Sequence, residues 1–240
     1  MSERPVLRTV REVRAWRAGR REAGEIVALV PTMGALHEGH LSLIDAARDR
    51  AGAVLVSVFV NPTQFGPSED FERYPRDLER DVALAAERGA SAVFAPSDEE
   101  MYPAPQTVWV EPGEAGERLC GRQRPGHFRG VLTVVAKLFS IVEPEVAVFG
   151  RKDFQQSVLV RRMVEELHLP VEIVVAPTVR DADGLALSSR NVYLSAVERR
   201  SARALSGGLR AMRLAFASGE RDPVALEALA RSALEEAGAA

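Results

Sequence analysis

The chain has 240 residues, of which 46% are hydrophobic, and its formal net charge is −3 at neutral pH. This length can bury one large core, or a main domain with a smaller one attached. This mildly acidic net charge gives no indication of a basic surface that would bind nucleic acid. The single cysteine, Cys120, excludes an internal disulfide framework, and no apolar run approaches the roughly 20 residues of a membrane span. No apolar segment follows Met1–Pro5 to form a secretory signal, so we predict a cytoplasmic protein.

The first two-thirds of the chain alternates short apolar runs with helical patterns. Each run is closed by proline or glycine, and continuous apolar runs are typical of strands buried on both faces of a parallel sheet. The predicted strands are Ile26–Val30, Ala53–Val60, Ala92–Ala95, Val146–Phe149 and Val171–Ala176. The predicted helices are Thr9–Arg20 with Thr9 as N-cap, Leu41–Arg50, Leu78–Arg88, Phe128–Val142 and Phe154–Leu167. This order predicts an α/β fold, a Rossmann-like open parallel sheet flanked by helices.

The character of the chain changes after Pro177. A turn-rich segment leads to Ser195, which is the predicted N-cap of a helix reaching about Ala217, and Pro223 opens a second helix that runs to Glu236. We therefore expect two domains, residues 1–178 and 179–240, of which the second is small and mostly helical.

A polar segment from Pro31 to His40 follows the first predicted strand and leads into a helix. Ligands of open α/β sheets bind at the carboxyl ends of the strands, and a helix start there presents N–H groups and partial positive charge to a phosphate. His37 and His40, with Gly39 between them, are placed to stabilise charge on such a group. The alternative is a pair of surface or capping histidines.

His37-Glu38-Gly39-His40 matches the HxGH signature of the nucleotidylyltransferase superfamily, which includes the class I aminoacyl-tRNA synthetases. The longer string PTMGALHEGH resembles the pantothenate synthetase family. The other blocks that carry this resemblance are VNPTQF at 60–65, EDFERYPR at 69–76, RPGHFRGV at 124–131, GRKDFQQ at 150–156 and ALSSRN at 186–191.

The resemblance implies that ATP activates the carboxylate of pantoate as an acyl-adenylate, which then condenses with β-alanine and releases AMP and pyrophosphate. It also implies a homodimer and a first domain that binds ATP and pantoate. Family members usually continue with strands that complete a small C-terminal domain, so residues 179–240 are expected to form a partial lid. Two alternatives remain: a nucleotidylyltransferase acting on another acceptor, and a nucleotide-binding form with impaired catalysis.

The resemblance assigns catalysis to His40, His37 and Lys152. Lys152 follows a predicted strand and supplies a compact charge for the α-phosphate region, while Asp153 is placed to accept from ribose hydroxyls or to hold Lys152. The remaining ATP-binding residues that the resemblance implies are Met33, Gly34, Ala35, Leu36, Glu38, Gly39, Gly150, Arg151, Val179, Leu187, Ser188, Ser189 and Arg190.

Residues 187–190 correspond to the mobile phosphate-binding signature of the class I synthetases, whose sequence is KMSKS. Leu187 stands where the family commonly has methionine, a substitution that keeps volume and apolar character. Two hydroxyls and a guanidinium in this segment are suited to closing on the departing pyrophosphate.

The resemblance assigns substrate binding to Gln64 and Gln156, with Phe59 as a pocket wall. Positive charge at Arg124 suits a carboxylate substrate, and His127 is either a substrate contact or a packing residue. No spacing typical of a metal cage is present, so we expect Mg²⁺ to be carried mainly by the phosphates of ATP. Asp81 is either an outer ligand of that ion or, on its predicted helix, a solvated carboxylate.

Overall fold

The structure, a computed structural model, describes residues 4–238. The chain divides into two compact units, the first ending at Pro177 and the second beginning at Thr178. Within the described residues, none of the helices combines the length and the apolar character needed to cross a membrane.

The first unit contains a six-stranded sheet in which every neighbouring pair of strands is parallel. The strand order is β1-β4-β3-β2-β5-β6. The strands are β1 (Val6–Leu7), β2 (Val27–Thr32), β3 (Ala53–Val58), β4 (Ala92–Phe94), β5 (Val146–Gly150) and β6 (Glu172–Ala176). The predicted Rossmann-like parallel α/β fold is thereby confirmed. The sequence missed β1, because two residues are too few to show a periodic pattern.

Nine α-helices occur in residues 4–238. They are α1 (Val10–Glu22), α2 (Glu38–Arg48), α3 (Leu78–Glu87), α4 (Asp98–Met101), α5 (Cys120–Gln123), α6 (His127–Val142), α7 (Phe154–Glu166), α8 (Ala196–Ala217) and α9 (Pro223–Glu236). The predicted caps are confirmed: Thr9 and Ser195 each form a capping box with the glutamate three residues later.

Both faces of the sheet are covered by apolar side chains, as the continuous apolar runs predicted. On β3, Leu55 belongs to a cluster that includes Leu138 of α6, while its neighbour Val56 belongs to a cluster that includes Ile44 of α2. Successive side chains of a strand point to opposite faces. Helices α6 and α2 therefore cover opposite sides of the sheet.

The direction of the winding reverses at β2. From β2 the chain moves to β3 and β4 on one side, and later places β5 against the other side of β2. Such a switch point leaves a crevice at the carboxyl ends of the two strands, where the connecting loops diverge. Here it lies between the segment that follows Thr32 and the segment that follows Gly150.

The second unit is built on α8 and α9, which pack closely where Gly208 meets Ala230. A Cβ atom on Gly208 would lie 2.9 Å from the Cα of Ala230, so only glycine allows this approach. Ahead of these helices, Arg180 and Ala186 form an isolated antiparallel bridge. The bridge closes the turn that precedes residues 187–190.

Candidate active site

The loop between β2 and α2 is held in a tight conformation by side-chain contacts. The hydroxyl of Thr32 donates to the carbonyl of Ser57 at 2.7 Å and accepts the N–H of Gly34 at 3.1 Å. Gly34 and Ala35 both have a positive φ, +83° and +49°, a left-handed conformation that is uncommon for alanine. The loop therefore needs support from outside its own sequence.

Asp81 of α3 supplies that support. Its two carboxylate oxygens accept the N–H groups of Ala35 at 2.8 Å and Leu36 at 2.7 Å, and the residue is 1% exposed. The expectation of a solvated carboxylate on this helix is wrong, because the side chain points under the loop. Burial raises the pKa of Asp81, and the two backbone hydrogen bonds oppose that shift.

Asp81 also explains why residue 34 is glycine. A Cβ atom there would lie 2.8 Å from Oδ2 of Asp81 and 2.9 Å from Cγ1 of Val58. Larger side chains would push the carboxylate away from the two N–H groups that it holds. The glycine of the PTMGALHEGH string is thus required by the contact with α3 as well as by its positive φ.

His37 caps α2 with its imidazole ring. Its Nδ1 accepts the N–H of Gly39 at 3.1 Å, so this nitrogen carries no proton and the neutral ring is protonated at Nε2. The N–H of His40 is bonded to the carbonyl of His37 at 2.7 Å. Together with the bonds made by residues 34–36, this leaves fewer N–H groups for a phosphate than the sequence suggested.

His40 stacks on His37, with ring centroids 4.1 Å apart. Burial is the main cause that lowers the pKa of His40 to about 3, and electrostatic interactions with His37 and Lys152 add to this effect. Its Nδ1 is buried and has no hydrogen-bond partner in the described protein. His40 is therefore a neutral imidazole at pH 7, suited to a hydrogen bond with a ligand and unsuited to a permanent positive charge.

Lys152 lies on the other side of the switch point, in a single 3₁₀ turn (Arg151–Asp153) between β5 and α7. Its ammonium group is 3.4 Å from the carboxylate of Asp153, and its side chain is 39% exposed. The lysine is thus near enough to lower the pKa of His40 and exposed enough to meet a solvent-borne ligand. The structure brings the two predicted phosphate-binding blocks, HxGH and GRKD, to one crevice.

A cavity of about 140 Å³ opens beside these residues, between the sheet and α6. Its volume is roughly ten times the 10–15 Å³ that one water requires. The polar residues in its lining include His40, Asn61, Gln64, Asp153 and Gln156. The apolar residues in its lining include Met33, Phe59, Val131, Val134, Val135, Leu138 and Phe149. This combination of an apolar wall with a few amides suits a small branched molecule that carries hydroxyl or carboxylate groups.

Gln64 enters the cavity with its amide orientation fixed. Nδ2 of Asn61 donates to Oε1 of Gln64 at 3.0 Å, and Nε2 of Gln64 points to the sulfur of Met33 at 3.2 Å. Asn61 itself is 1% exposed and also bonds to Tyr102 and to the carbonyl of Gly130. Since the oxygen of Gln64 is engaged, its NH₂ group is the part that remains to donate to a ligand.

Arg124 and His127 are close to Gln64 but have other partners. Arg124 forms a two-point ion pair with Glu69, at 2.7 Å from Nε and 2.5 Å from Nη2. His127 is 8% exposed and its Nδ1 lies 2.9 Å from the main-chain carbonyl of Gln64. Among the described residues, the cavity lining includes Gln64 but neither Arg124 nor His127.

The predicted phosphate-binding segment at 187–190 lies in the second unit. The N–H of Leu187 donates to the carbonyl of Val179 at 3.0 Å, and the hydroxyl of Ser188 accepts the N–H of Arg190 at 3.3 Å. Ser188 caps a 3₁₀ turn that extends from Ser189 to Tyr193. Val179 and the 187–190 segment are therefore joined within the second unit.

Sequence reasoning assigned no role to Asn61 or Glu69, and it considered Asp81 as an outer metal ligand or a solvated carboxylate and not as a support of the loop. The string NPTQF carried a signal for Asn61, because asparagine before proline commonly bonds to the following backbone. No group of three or more His, Cys, Asp or Glu residues within 4–238 is arranged to hold a metal ion.

The chain is similar to known proteins over nearly its whole length. The family model described as pantoate-beta-alanine ligase matches residues 5–240. Pantothenate synthetase 1 of Bradyrhizobium diazoefficiens is 57% identical over 96% of this chain and 81% of its own length, and pantothenate synthetase of Moorella thermoacetica is 55% identical over 96% and 80%.

Solved structures are similar to this chain as well. Pantothenate synthetase from Thermus thermophilus matches with a TM-score of 0.89 and 51% identity, over 97% of this chain and 82% of that one. Pantoate-beta-alanine ligase from Francisella tularensis, complexed with beta-gamma ATP and beta-alanine, matches with a TM-score of 0.79 and 37% identity, over 86% and 79%.

Proposed function

The chain belongs to the pantoate–β-alanine ligase family, and on that premise we propose that it condenses pantoate with β-alanine to form pantothenate. The carboxylate of pantoate attacks the α-phosphorus of ATP, giving pantoyl-adenylate and pyrophosphate. The amine of β-alanine then attacks the activated carbonyl and expels AMP. Both nucleophiles come from the substrates, so the protein has to position the reactants and stabilise developing charge.

The observation that carries the proposal is the meeting of three features at the switch point between β2 and β5. The HxGH loop follows β2, Lys152 follows β5, and the amide-bearing cavity opens between the sheet and α6. A phosphate chain fits along the two histidines and the ammonium group. Pantoate fits the cavity, with its branched carbon against the apolar wall and its oxygens near Gln64 and Gln156.

Lys152 and the two histidines lie in different environments and are proposed to have different roles. Lys152 provides a compact positive charge near the α-phosphate, because its ammonium group is partly exposed at the crevice. His40, with its pKa lowered to about 3, acts as a neutral hydrogen-bonding group, and His37 supports it through the stacked rings. The remaining predicted ATP contacts are proposed to bind ATP, as the family resemblance implies: Val179, Leu187, Ser188, Ser189 and Arg190.

Mg²⁺ is proposed to reach the site on the phosphates of ATP. The donor set of the crevice fits this role, because Asp153 offers a hard oxygen ligand on a side chain that is 60% exposed. Mg²⁺ bound with nucleotides commonly uses one or two carboxylates and substrate phosphates. When bound, the ion would neutralise phosphate charge.

We also propose a homodimer, which the family resemblance alone supports, and a location in the cytoplasm. The free thiol of Cys120 is exposed, and reducing compartments keep such thiols from oxidising.

The test of the proposed reaction is exchange of labelled pyrophosphate into ATP. We expect exchange that depends on pantoate and needs no β-alanine, because adenylation is reversible while its product stays bound. Exchange without pantoate, or only with a phosphorylated acceptor, would contradict the proposal and favour another nucleotidylyltransferase reaction.

A further inference from the structure

Gln64 sits on a 3₁₀ turn (Pro62–Gln64) that is pressed against the first turn of α6. A Cβ atom on Gly130 would lie 2.3 Å from the carbonyl oxygen of Thr63 and 2.7 Å from the nitrogen of Gln64. The carbonyl of Gly130 accepts from Nδ2 of Asn61 at 3.2 Å. These contacts with Gly130 hold the main chain of Gln64 close to α6.

Arg124 and His127 hold the other side of the same residue. The carbonyl of Gln64 is 2.9 Å from Nδ1 of His127 and 3.4 Å from Nη2 of Arg124. Nη1 of Arg124 is 3.0 Å from Nε2 of His127. A guanidinium only donates, so Nε2 must be the acceptor, and Nδ1 carries the proton that is donated to Gln64. The ring is thus a neutral imidazole in one defined tautomer.

The charges of Glu69, Arg124 and His127 also argue against a cationic site for the substrate. Both donors of one edge of Arg124 are bonded to the carboxylate of Glu69, which lowers the pKa of Glu69 and raises that of Arg124. Burial is the main cause that lowers the pKa of His127. The cluster has no net charge left to attract a carboxylate substrate, although its sequence suggested a cationic binding site.

We propose that Glu69, Arg124 and His127 are positioning residues, which orient Gln64 by holding its main-chain carbonyl against α6 and do not themselves contact pantoate. The inference rests on the proposed function, since Gln64 is the group that meets the substrate. The proposal gives Glu69 a role in substrate binding through Arg124, although the carboxylate of Glu69 would by itself repel pantoate.

The decisive test compares Glu69→Gln, Arg124→Gln and the double variant by steady-state kinetics with pantoate. We expect both single variants to lose kcat/KM for pantoate by similar factors, on the order of 10- to 100-fold. The double variant should be no worse than the poorer single one, because one contact is broken in all three. If Arg124 bound pantoate directly, Glu69→Gln would free its guanidinium and lower the KM for pantoate, which would overturn the proposal.

His127 allows a rescue experiment. Asparagine places an N–H donor near the position of Nδ1, so His127→Asn should retain most of the activity that His127→Ala loses. Equal loss in both variants would contradict a role limited to hydrogen-bond donation. The matched control is Glu172→Gln, which breaks an exposed ion pair of 2.8 Å with Arg50 at the amino ends of the strands, the end of the sheet away from the crevice, and should leave the kinetics unchanged.

A spectroscopic measurement tests the cluster without substrates. In the ligand-free protein, ¹⁵N NMR of the imidazoles should show His127 as the Nδ1–H tautomer, and Arg124→Gln should convert it to a mixture. An Nε2–H tautomer in the wild-type protein would overturn the inference. Absence of pantoate-dependent activity in a wild-type protein that shows the expected tautomer would instead contradict the proposed function.

Discussion

At the residue scale, the two lysines of the chain lie in different environments. Lys152 is in the turn after β5, beside the crevice, and its ammonium group is 3.4 Å from the carboxylate of Asp153. Lys137 lies within α6, where its ammonium donates to Gln106 at 3.0 Å and lies 4.5 Å from the ring centre of Tyr102. Only the first is placed to meet a phosphate.

We predict that Lys152→Ala lowers the adenylation rate by about 10² to 10³, the usual loss for one charge-stabilising contact, with little change in melting temperature. Lys152→Arg should also be poor, because a planar guanidinium does not replace a compact ammonium at a tight phosphate. Lys137→Arg is the control. The measurement is pantoate-dependent pyrophosphate exchange together with thermal melting, and near wild-type exchange in Lys152→Ala would remove Lys152 from the site.

The lowered pKa of His40 predicts that the stability of the protein depends on pH. Its pKa falls from the ordinary value of 6.5 to about 3 in the folded protein, so between these values the unfolded chain binds the proton and the folded chain does not. The free energy of unfolding should therefore fall as the pH drops from about 6.5 towards 3, by about 1 kcal/mol per unit from this group.

Urea unfolding at several pH values tests this dependence. His40→Asn should flatten the profile between pH 6.5 and 4, whereas His168→Asn, which changes an exposed side chain with a positive φ that asparagine tolerates, should not. A His40→Asn profile parallel to that of the wild type would show that His40 is protonated as easily in the folded protein as in the unfolded chain.

The positions of residues in recognisable sequence motifs could be predicted, but the residues that contact them could not. The HxGH and GRKD blocks follow strands, so their position at the sheet edge could be predicted. The contact of Asp81 with Leu36 joins residues 45 positions apart, and that of Arg124 with Glu69 joins residues 55 apart. Such pairings depend on how helices pack, which a single sequence does not reveal, so the charge of Arg124 was predictable and its ion pair with Glu69 was not.

At the scale of elements, α3 supports the loop between β2 and α2 through one side chain, Asp81. Asp81→Asn should lower kcat/KM for ATP, because an amide has one oxygen to accept two N–H groups and directs its own NH₂ at the other, leaving a buried donor unpaired at a cost of about 1–3 kcal/mol. Thermal melting and kinetics with varied ATP would measure both effects. Unchanged kinetics would show that the loop holds its conformation without α3.

Asp77→Asn provides the matched control on the same helix. Asp77 is the N-cap of α3 and accepts the N–H of Arg80 at 3.1 Å. Asparagine is about as good an N-cap as aspartate, so this variant should have wild-type kinetics. A loss equal to that of Asp81→Asn would mean that α3 acts by its general stability and not through the Asp81 contact.

Most elements were predictable because their apolar runs are long and bounded. The five predicted strands are present with ends shifted by at most two residues, and the helix Pro223–Glu236 was predicted at both ends. The short helices α4 and α5 have four residues each, too few for a helical period. Their positions follow from loop packing, which explains why the sequence showed no sign of them.

At the scale of the whole molecule, the oligomeric state is a prediction that rests on family resemblance. Light scattering at micromolar concentration should give about twice the 26.1 kDa of one chain. A mass of one chain at that concentration would contradict the proposed homodimer, while leaving the chemistry of the single site untouched.

The chemistry itself is tested most directly by following the carboxylate oxygens of pantoate. With pantoate labelled by ¹⁸O at both carboxylate positions, ATP and β-alanine, each turnover should place one labelled oxygen in AMP and leave the other in the amide carbonyl of pantothenate. This pattern requires attack of the carboxylate on the α-phosphorus, followed by cleavage of the bond between the acyl carbon and oxygen. Unlabelled AMP, or label in inorganic phosphate together with ADP, would contradict the account.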